Sequence, residues 1–148
     1  MSRLAFNVRP APVLPEHRRM YKISQILLVL ELSSRGGKST LPRLQLFNWA
    51  MKSRDRQERL ATAAKNQSLN VQAWGFDPAL SIALRYAVAE MLVNSVPTGY
   101  QITDRGKLFV EDIEKDPDLM RQEKEVLKRI GKAVTEGMVD AVAKGWGA

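Results

Sequence analysis

The sequence predicts a mainly α-helical fold with a small β-wing, followed by a long C-terminal helix. An Asp-Pro pair at Asp77 opens a helical pattern, a short Pro/Gly turn and a strand follow, and Thr103 opens another helix. Asp and Thr cap helices by accepting from free backbone N–H groups, and Pro fits the first helical position. The order helix, β-hairpin, helix is typical of the back half of a winged helix-turn-helix.

Residues 1–20 are predicted to form a basic, proline-containing N-terminal arm. Pro10, Pro12 and Pro15 interrupt a stretch without periodicity, and four arginines add positive charge. We expect this arm to be extended or disordered when alone, either docking on a partner or forming a loose terminus. The only histidine, His17, lies here without a base or metal partner nearby in the sequence, which argues against a catalytic role.

Residues 21–115 are predicted to form one winged-helix domain that begins with a central helix. This helix covers residues 21–34 and is apolar on nearly all sides. A helix with that pattern is typically buried in the centre of a domain. Gly36 and Gly37 follow it, as expected for a helix that ends in a left-handed cap.

The second predicted helix begins after Ser39 or Thr40, either of which can cap it. Its core face carries four apolar residues: Leu41, Leu44, Phe47 and Met51. Residues 54–65 continue or follow this helix, and they are strongly basic and weakly apolar. We therefore expect this segment to be exposed.

The helix opened by the Asp-Pro pair is predicted to cover residues 77–93, between two parts of the small sheet. Before it, residues 71–76 are expected to form the first strand, with Trp74 and Phe76 packing it. The helix has one apolar face, because its apolar residues recur with a period near 3.6. These residues are Leu80, Leu84, Ala87, Val88 and Met91. After the helix and a turn, residues 100–102 alternate as a strand.

Residues 116–148 are predicted to form the long C-terminal helix and a tail. Asp116 and Pro117 repeat the Asp-Pro pair and mark the helix start. One stripe carries Met120, Leu127, Ile130, Val134, Met138 and Ala141. The stripe extends beyond the core of a winged helix, so it either folds back over that core or docks on a partner. In the second alternative, the contact residues are Leu127, Ile130 and Val134.

The distribution of charge is the most informative feature of the composition. The net charge is +7, but residues 1–66 hold 13 Lys and Arg against 4 Asp and Glu, whereas residues 67–148 hold 10 against 12. A basic front half suits contact with nucleic acid or with an acidic protein face, or it only keeps the protein soluble. The basic candidates for contact with a partner or with nucleic acid are Lys52, Arg54, Arg56, Arg59, Arg85, Arg105 and Lys107.

The residue pattern does not favour catalysis. The chain has no cysteine, which excludes thiolate chemistry and cysteine-based metal sites. The carboxylates of residues 111–118 have helical spacing and indicate a solvated face. We therefore predict no catalytic residue, no cofactor and no metal site. The longest apolar run, residues 26–30, is too short to span a bilayer, and we expect a cytoplasmic protein without membrane contact.

The predicted recognition helix is poorly suited to reading DNA. In helix-turn-helix proteins, the second helix of the motif presents polar and basic side chains to base edges. Here the outward candidates are Ser81, Arg85, Tyr86 and Glu90, with one cation and one anion among them. Because function depends on the site and not on the fold, we rank protein–protein interaction above sequence-specific DNA recognition.

Several segments resemble a known protein family. They are residues 41–53 with Trp49-Ala50, residues 76–80 with Phe76-Asp77-Pro78, residues 100–106, and a tail that contains Glu123-Lys124, Leu127 and Ile130-Gly131-Lys132. Taken in this order, they are similar to the small middle component of bacterial ABC-three-component defence systems, which include the Lamassu type. The resemblance covers about residues 21–136.

This resemblance implies a non-catalytic accessory subunit. Such a subunit works with an SMC-like ABC ATPase and an effector, often a nuclease, in defence against phage or plasmids. The expected role on this basis is to link the ATPase to the effector. The alternative is a winged-helix DNA-binding regulator or a DNA-contacting subunit that uses the basic front half. Steeply salt-dependent DNA binding by the isolated protein would favour that alternative.

Overall fold

Seven α-helices and a three-stranded antiparallel sheet make up residues 15–144, the part of the chain that the computed structural model describes. The helices are α1 (Pro15–Ser33), α2 (Leu41–Ala50), α3 (Arg54–Asn66), α4 (Pro78–Ala89), α5 (Asp104–Lys115), α6 (Arg121–Ile130) and α7 (Glu136–Ala143). The strands are β1 (Lys38–Ser39), β2 (Val93–Val96) and β3 (Gly99–Ile102). The predicted fold class, mainly helical with a small sheet, is confirmed at this level.

Helix α1 is the centre of the fold, as its pattern predicted. It packs against α2, α4, α5, α6 and β3, and residues 26–30 are buried on every side of the helix. Gly36 and Gly37 follow with φ values of 66° and 68°, the left-handed conformation expected after a helix end. Neither α1 nor any other helix within residues 15–144 is long and apolar enough to cross a membrane.

The predicted arm of residues 1–20 is partly wrong. Helix α1 already begins at Pro15, which fits a helix start because proline has no N–H to leave unpaired there. Residues 15–20 therefore belong to the central helix. The predictions for residues 1–14 and for the side chain of His17 lie outside the described residues.

Hydroxyl side chains cap four of the described helices, among them α2, α3 and α5. Thr40 caps α2, Ser53 caps α3 by accepting from the Arg56 N–H at 3.2 Å, and Thr103 caps α5 by accepting from the Gly106 N–H at 3.0 Å. The cap at Ser53 makes the basic segment a helix of its own and not a continuation of α2. Of the two hydroxyls predicted as alternative caps for α2, Thr40 is the one that caps it, and the predicted cap at Thr103 is confirmed.

The sheet has the order β1–β3–β2 with antiparallel pairing. Strand β1 is only two residues long: Lys38 pairs with Gln101 and Ser39 with Tyr100. Gly99 opens β3 so close to β1 that a Cβ there would overlap the carbonyl oxygen of Ser39. The close approach of these two strands therefore requires glycine at this position.

The first strand was predicted at residues 71–76, and this prediction is wrong. The segment is irregular. It packs on α2, where the indole N–H of Trp74 donates to the Pro42 carbonyl at 3.0 Å. Gly75 has a φ of 73°, which interrupts an extended conformation. The predicted packing role holds for Trp74, which is buried, but not for Phe76, whose side chain is 62% exposed. The true strand β1 is too short to show alternation.

Helix α4 ends earlier than predicted because the chain turns into β2. Asp77 caps the helix as predicted, accepting from the Ala79 N–H at 3.0 Å. After the helix, Met91 adopts a left-handed φ of 61°, and Val93 already pairs with Ile102 in the sheet. Met91 therefore leaves the predicted apolar face and is exposed. The other members of that face are buried or partly buried: Leu80, Leu84, Ala87 and Val88.

The predicted long C-terminal helix is two short helices. Gly131 follows α6 with a φ of 56°, and Thr135 caps α7 by accepting from the Met138 N–H at 3.2 Å. The apolar spacing continues across this break, so periodicity alone does not reveal it. The start also differs, because residues 117–120 form a turn before α6 begins.

The apolar stripe of this C-terminal region folds back over the core. Leu127, Ile130 and Val134 have exposures of 2% or less, and the Leu127 carbonyl accepts from the Ser33 hydroxyl of α1 at 2.8 Å. Helix α6 thus packs directly on α1. The alternative in which these three residues contact a partner is therefore wrong, because they belong to the chain's own core.

Candidate interaction surface

Two of the predicted basic residues around the start of α3 pack on a tryptophan. The guanidinium of Arg56 lies 4.8 Å from the centre of the Trp49 ring and donates to the Trp49 carbonyl at 3.3 Å. The guanidinium of Arg59 lies 5.8 Å from the same centre. Such cation–π contacts stabilise by about 0.5–1 kcal/mol at exposed sites. Residues 54–65 were expected to be exposed, and this holds for Arg59 but not for Arg56, which is partly buried against Trp49.

Lys52 and Arg54 differ in how available their charges are. Lys52 pairs with Asp77 at 3.4 Å, although half of its side chain remains exposed. Arg54 is exposed at the start of α3 and makes no ion pair or side-chain hydrogen bond within residues 15–144. Of the four residues predicted here, Arg54 is the one that makes no ion pair, side-chain hydrogen bond or cation–π contact with the described residues.

Asp77 joins three helices through its carboxylate. It accepts from Asn48 Nδ2 of α2 at 3.0 Å, from Lys22 Nζ of α1 at 3.2 Å and from the backbone of α4 at Ala79. Partial burial alone would raise the pKa of Asp77, but the hydrogen bonds from Asn48, Ala79 and Lys22 and the positive charge of Lys22 hold that pKa well below its usual range. The carboxylate therefore stays ionised at neutral pH and acts as a structural link.

Two buried amides of α2 complete this junction. Gln45 accepts from the Asp77 N–H at 2.9 Å and donates to the Asp77 carbonyl at 3.2 Å, so one side chain satisfies both backbone groups. Asn48 accepts from Lys22 Nζ at 2.6 Å and from Gln25 Nε2 at 3.2 Å. Buried polar groups that are satisfied in this way hold a junction in one arrangement. The sequence indicated only the cap at Asp77, because the partners lie far away in the chain.

The outward face of α4 is more apolar than the sequence suggested. Ile82 and Tyr86 lie one turn apart, and each side chain is 42% exposed. Arg85 is exposed beside them, whereas the hydroxyl of Ser81 is buried. The guanidinium of Arg19 from α1 lies 3.9 Å from the centre of the Tyr86 ring. This face has few groups that could hydrogen-bond base edges, and aromatic and Arg side chains are enriched in protein interfaces.

Arg105 and Lys107 lie in the first turn of α5, and both are exposed. Neither makes an ion pair or a side-chain hydrogen bond with the described part of the chain. Cations in this position meet the positive end of the helix dipole, so they do not help the helix to form. Both charges are available to an anionic partner.

One buried cation was not singled out from the sequence. Arg43 of α2 is 2% exposed, and it donates to the Val134 carbonyl at 2.9 Å, to the Ser34 hydroxyl at 2.7 Å and to the Ser33 carbonyl. Burial lowers the pKa of Arg43 to about 10, against the opposing effect of the Glu136 charge. Arg43 is therefore protonated at neutral pH and ties α2 to the end of α1 and to the α6–α7 linker.

Within residues 15–144, no three His, Cys, Asp or Glu side chains are placed to hold a metal ion. Comparisons with protein-family models, with curated proteins and with solved structures give no match for this chain.

Proposed function

We propose that this chain is a non-catalytic accessory subunit that links an SMC-like ABC ATPase to an effector, often a nuclease, in bacterial defence against phage or plasmids. The proposal starts from the segments that resemble the middle component of ABC-three-component systems. The exposed face of α4 also supports a protein-binding role, because it fits a protein partner better than a nucleic acid.

The proposal includes a winged helix-turn-helix core. The element order α1, β1, α2, α4, β2, β3 supports it, as does a sheet in which β1 pairs with the second strand of the β2–β3 hairpin. Helix α3 is then an insertion between the two helices of the motif. In such a core α4 takes the place of the recognition helix, and β2–β3 is the wing.

The exposed pair of Ile82 and Tyr86 is the observation on which the proposal depends most. Aliphatic and aromatic anchors with a neighbouring arginine are typical of the residues that contribute most to protein binding. Arg85 stands beside the pair, and Arg19 already packs on the Tyr86 ring. A helix in this position whose exposed face carries Ile82 and Tyr86 is suited to docking on a subunit.

Co-expression with an SMC-like ABC ATPase and an effector taken from the neighbouring genes tests the proposal. We expect the three proteins to co-purify. Ile82→Asp combined with Tyr86→Asp should disrupt the complex while the isolated chain melts near the wild-type temperature, because both side chains are substantially exposed. The matched control is Leu108→Asp on α5, where the side chain is 62% exposed. A wild-type chain that joins neither protein would contradict the proposal.

A DNA-contacting winged-helix subunit is the second candidate function. It is favoured by the exposed cations Arg54, Arg105 and Lys107, which have no ion pair among the described residues. Each phosphate contact contributes about 0.9 to the slope of log affinity against log salt for duplex DNA. Replacing these three residues with Glu should reduce that slope if they contact phosphates. DNA binding that is absent, or unaffected by the three changes, would exclude this use of them.

A further inference from the structure

A pocket beside β1 gathers four cations around a cavity of about 490 Å³. Arg35, Lys38 and Lys132 line it with exposed side chains, and the buried Arg43 forms part of its wall. They come from the turn after α1, from β1, from the α6–α7 linker and from α2. Folding, and not a basic run of sequence, brings these charges together.

The position of Glu136 shows that this pocket already accommodates an oxyanion. Its carboxylate accepts from the N–H of Thr40 at 3.0 Å and from the hydroxyl of Thr40 at 2.8 Å, at the N-terminus of α2. Free N–H groups and the dipole make a helix N-terminus favourable for negative charge. Glu136 is also the one carboxylate among the residues that line the cavity, so the lining carries an excess of positive charge.

Three of the positive charges in the pocket have no counter-charge. Arg35, Lys38 and Lys132 make no ion pair with the described residues, whereas the exposed Lys115 and Lys128 each pair with a carboxylate at 3.5 Å and 2.8 Å. Like charges that converge on one cavity repel each other and oppose the compact state. A multiply charged anion in the cavity would remove that repulsion.

We propose that this pocket binds a phosphate-bearing ligand, whose phosphate groups contact Arg35, Lys38 and Lys132. Thr98 and Thr135 also line the cavity, and their hydroxyls are donors of the kind that phosphate oxygens accept. The volume lies within the range of about 300–1,000 Å³ that is usual for ligand sites, so more than one phosphate fits. Three cations match a polyphosphate or successive backbone phosphates better than a single carboxylate.

Two sources supply this chemistry, a nucleic-acid backbone and a free nucleoside polyphosphate. The residues lining the pocket include none of the basic candidates found from the sequence, and phosphate binding there requires neither of the proposed partner proteins. Titration of the purified chain with a short fluorescent DNA duplex and, separately, with ATP distinguishes the two. If the chain binds the duplex but not ATP, the ligand is a nucleic-acid backbone. If it binds ATP but not the duplex, the ligand is a free nucleotide.

The pocket variant is Arg35→Glu, Lys38→Glu and Lys132→Glu together. Because lost phosphate contacts weaken binding steeply at moderate salt, we expect at least about a tenfold loss of affinity for the probe that binds, and a shallower salt dependence for duplex DNA. The control variant makes the same change of net charge away from the pocket, at Lys65, Lys115 and Arg121. Its affinity should stay close to that of the wild type.

Several outcomes would contradict the proposal that this pocket binds phosphate. Equal losses in the pocket and control variants would mean a general effect of net charge, and a wild-type chain that binds neither probe would leave no ligand of this class. Should the triple variant melt well below the wild type, Lys38→Gln and Lys132→Gln provide the test one charge at a time. Because Lys38 and Lys132 are exposed, we expect these single changes to keep the fold, and undiminished binding in both would also contradict the proposal.

Discussion

Two serines of α1 differ in whether the hydroxyl has a partner. Ser24 and Ser33 are both completely buried, but Ser33 donates to the Leu127 carbonyl at 2.8 Å, whereas the Ser24 hydroxyl has no hydrogen-bond partner in the described residues. Leaving a buried polar group unpaired costs about 1–3 kcal/mol. We therefore expect Ser24→Ala to keep or raise the free energy of unfolding and Ser33→Ala to lower it by about 1 kcal/mol. Denaturant unfolding of both variants checks this, and the opposite order would contradict it.

Asp77 makes stability depend on pH at the acidic end. Its folded-state pKa is held well below the usual value, despite partial burial, by Asn48, Ala79 and Lys22. A depressed pKa stabilises the fold above the unfolded pKa of about 3.9, and this contribution is lost as the pH falls toward the folded pKa. Asp77→Asn should therefore lower the melting temperature near neutral pH, and its difference from the wild type should shrink below about pH 4. Thermal melts of both proteins across this pH range measure the difference. A difference in melting temperature that does not change with pH would contradict a stabilising contribution from the Asp77 charge.

At the scale of residues, a role that depends on neighbours in the sequence was predictable, whereas a role that depends on residues far away in the chain was not. The caps at Asp77 and Thr103 depend on a backbone N–H two or three residues away, so the sequence alone indicates them. Arg43 donates to Val134 across the chain, and neither residue carries a local sign of that contact. The buried amides that hold Asp77 were missed for the same reason.

Thr103 joins the end of the sheet to α5 with two hydrogen bonds. Its hydroxyl accepts from the Gly106 N–H at 3.0 Å and donates to the Met91 carbonyl at 2.7 Å. Thr103→Ala should lower the free energy of unfolding by about 1 kcal/mol through the lost cap. Thr103→Ser, which keeps the hydroxyl, is the control in chemical denaturation. Loss of partner binding in a fully stable Thr103→Ala variant would contradict a purely structural role.

Helix α6 is expected to be essential for folding of the whole chain. Ile130 is 2% exposed, and an aspartate there would bury a charge without a partner, which costs several kcal/mol. Ile130→Asp should therefore abolish the cooperative melt seen by circular dichroism, whereas Glu125→Asp on the exposed side should not. A melt of Ile130→Asp near the wild-type temperature would mean that α6 is dispensable for the core.

At the scale of elements, long helices could be predicted from the sequence more readily than short strands. The central helix α1 repeats its pattern over many residues, and its burial followed from that pattern. Strand β1 has two residues, and β2 continues the apolar spacing of α4, so both escaped detection. The break between α6 and α7 did have a local signal, a glycine at Gly131 and a capping hydroxyl at Thr135, but the continuous apolar stripe concealed it.

For the whole molecule, the fold class could be predicted from the sequence more readily than which charged side chains are free to contact a partner. The excess of basic residues in residues 1–66 is visible in the composition, but composition does not show which cations are already engaged. Arg56 and Arg59 pack on Trp49, and Lys52 pairs with Asp77. The cationic pocket includes Lys132 from the second half of the chain, so comparing the two halves does not reveal it.

The proposed docking role of α4 depends on which side chains become covered in the complex. Hydroxyl-radical footprinting reads this directly, because Tyr86 of α4 is 42% exposed and Trp49, beneath Arg56 and Arg59, is partly buried near the start of α3. Comparing the chain alone with the chain bound to the ATPase and effector, we predict that oxidation of Tyr86 falls strongly while that of Trp49 stays the same. Unchanged oxidation of Tyr86 in a complex that has formed would contradict docking through α4.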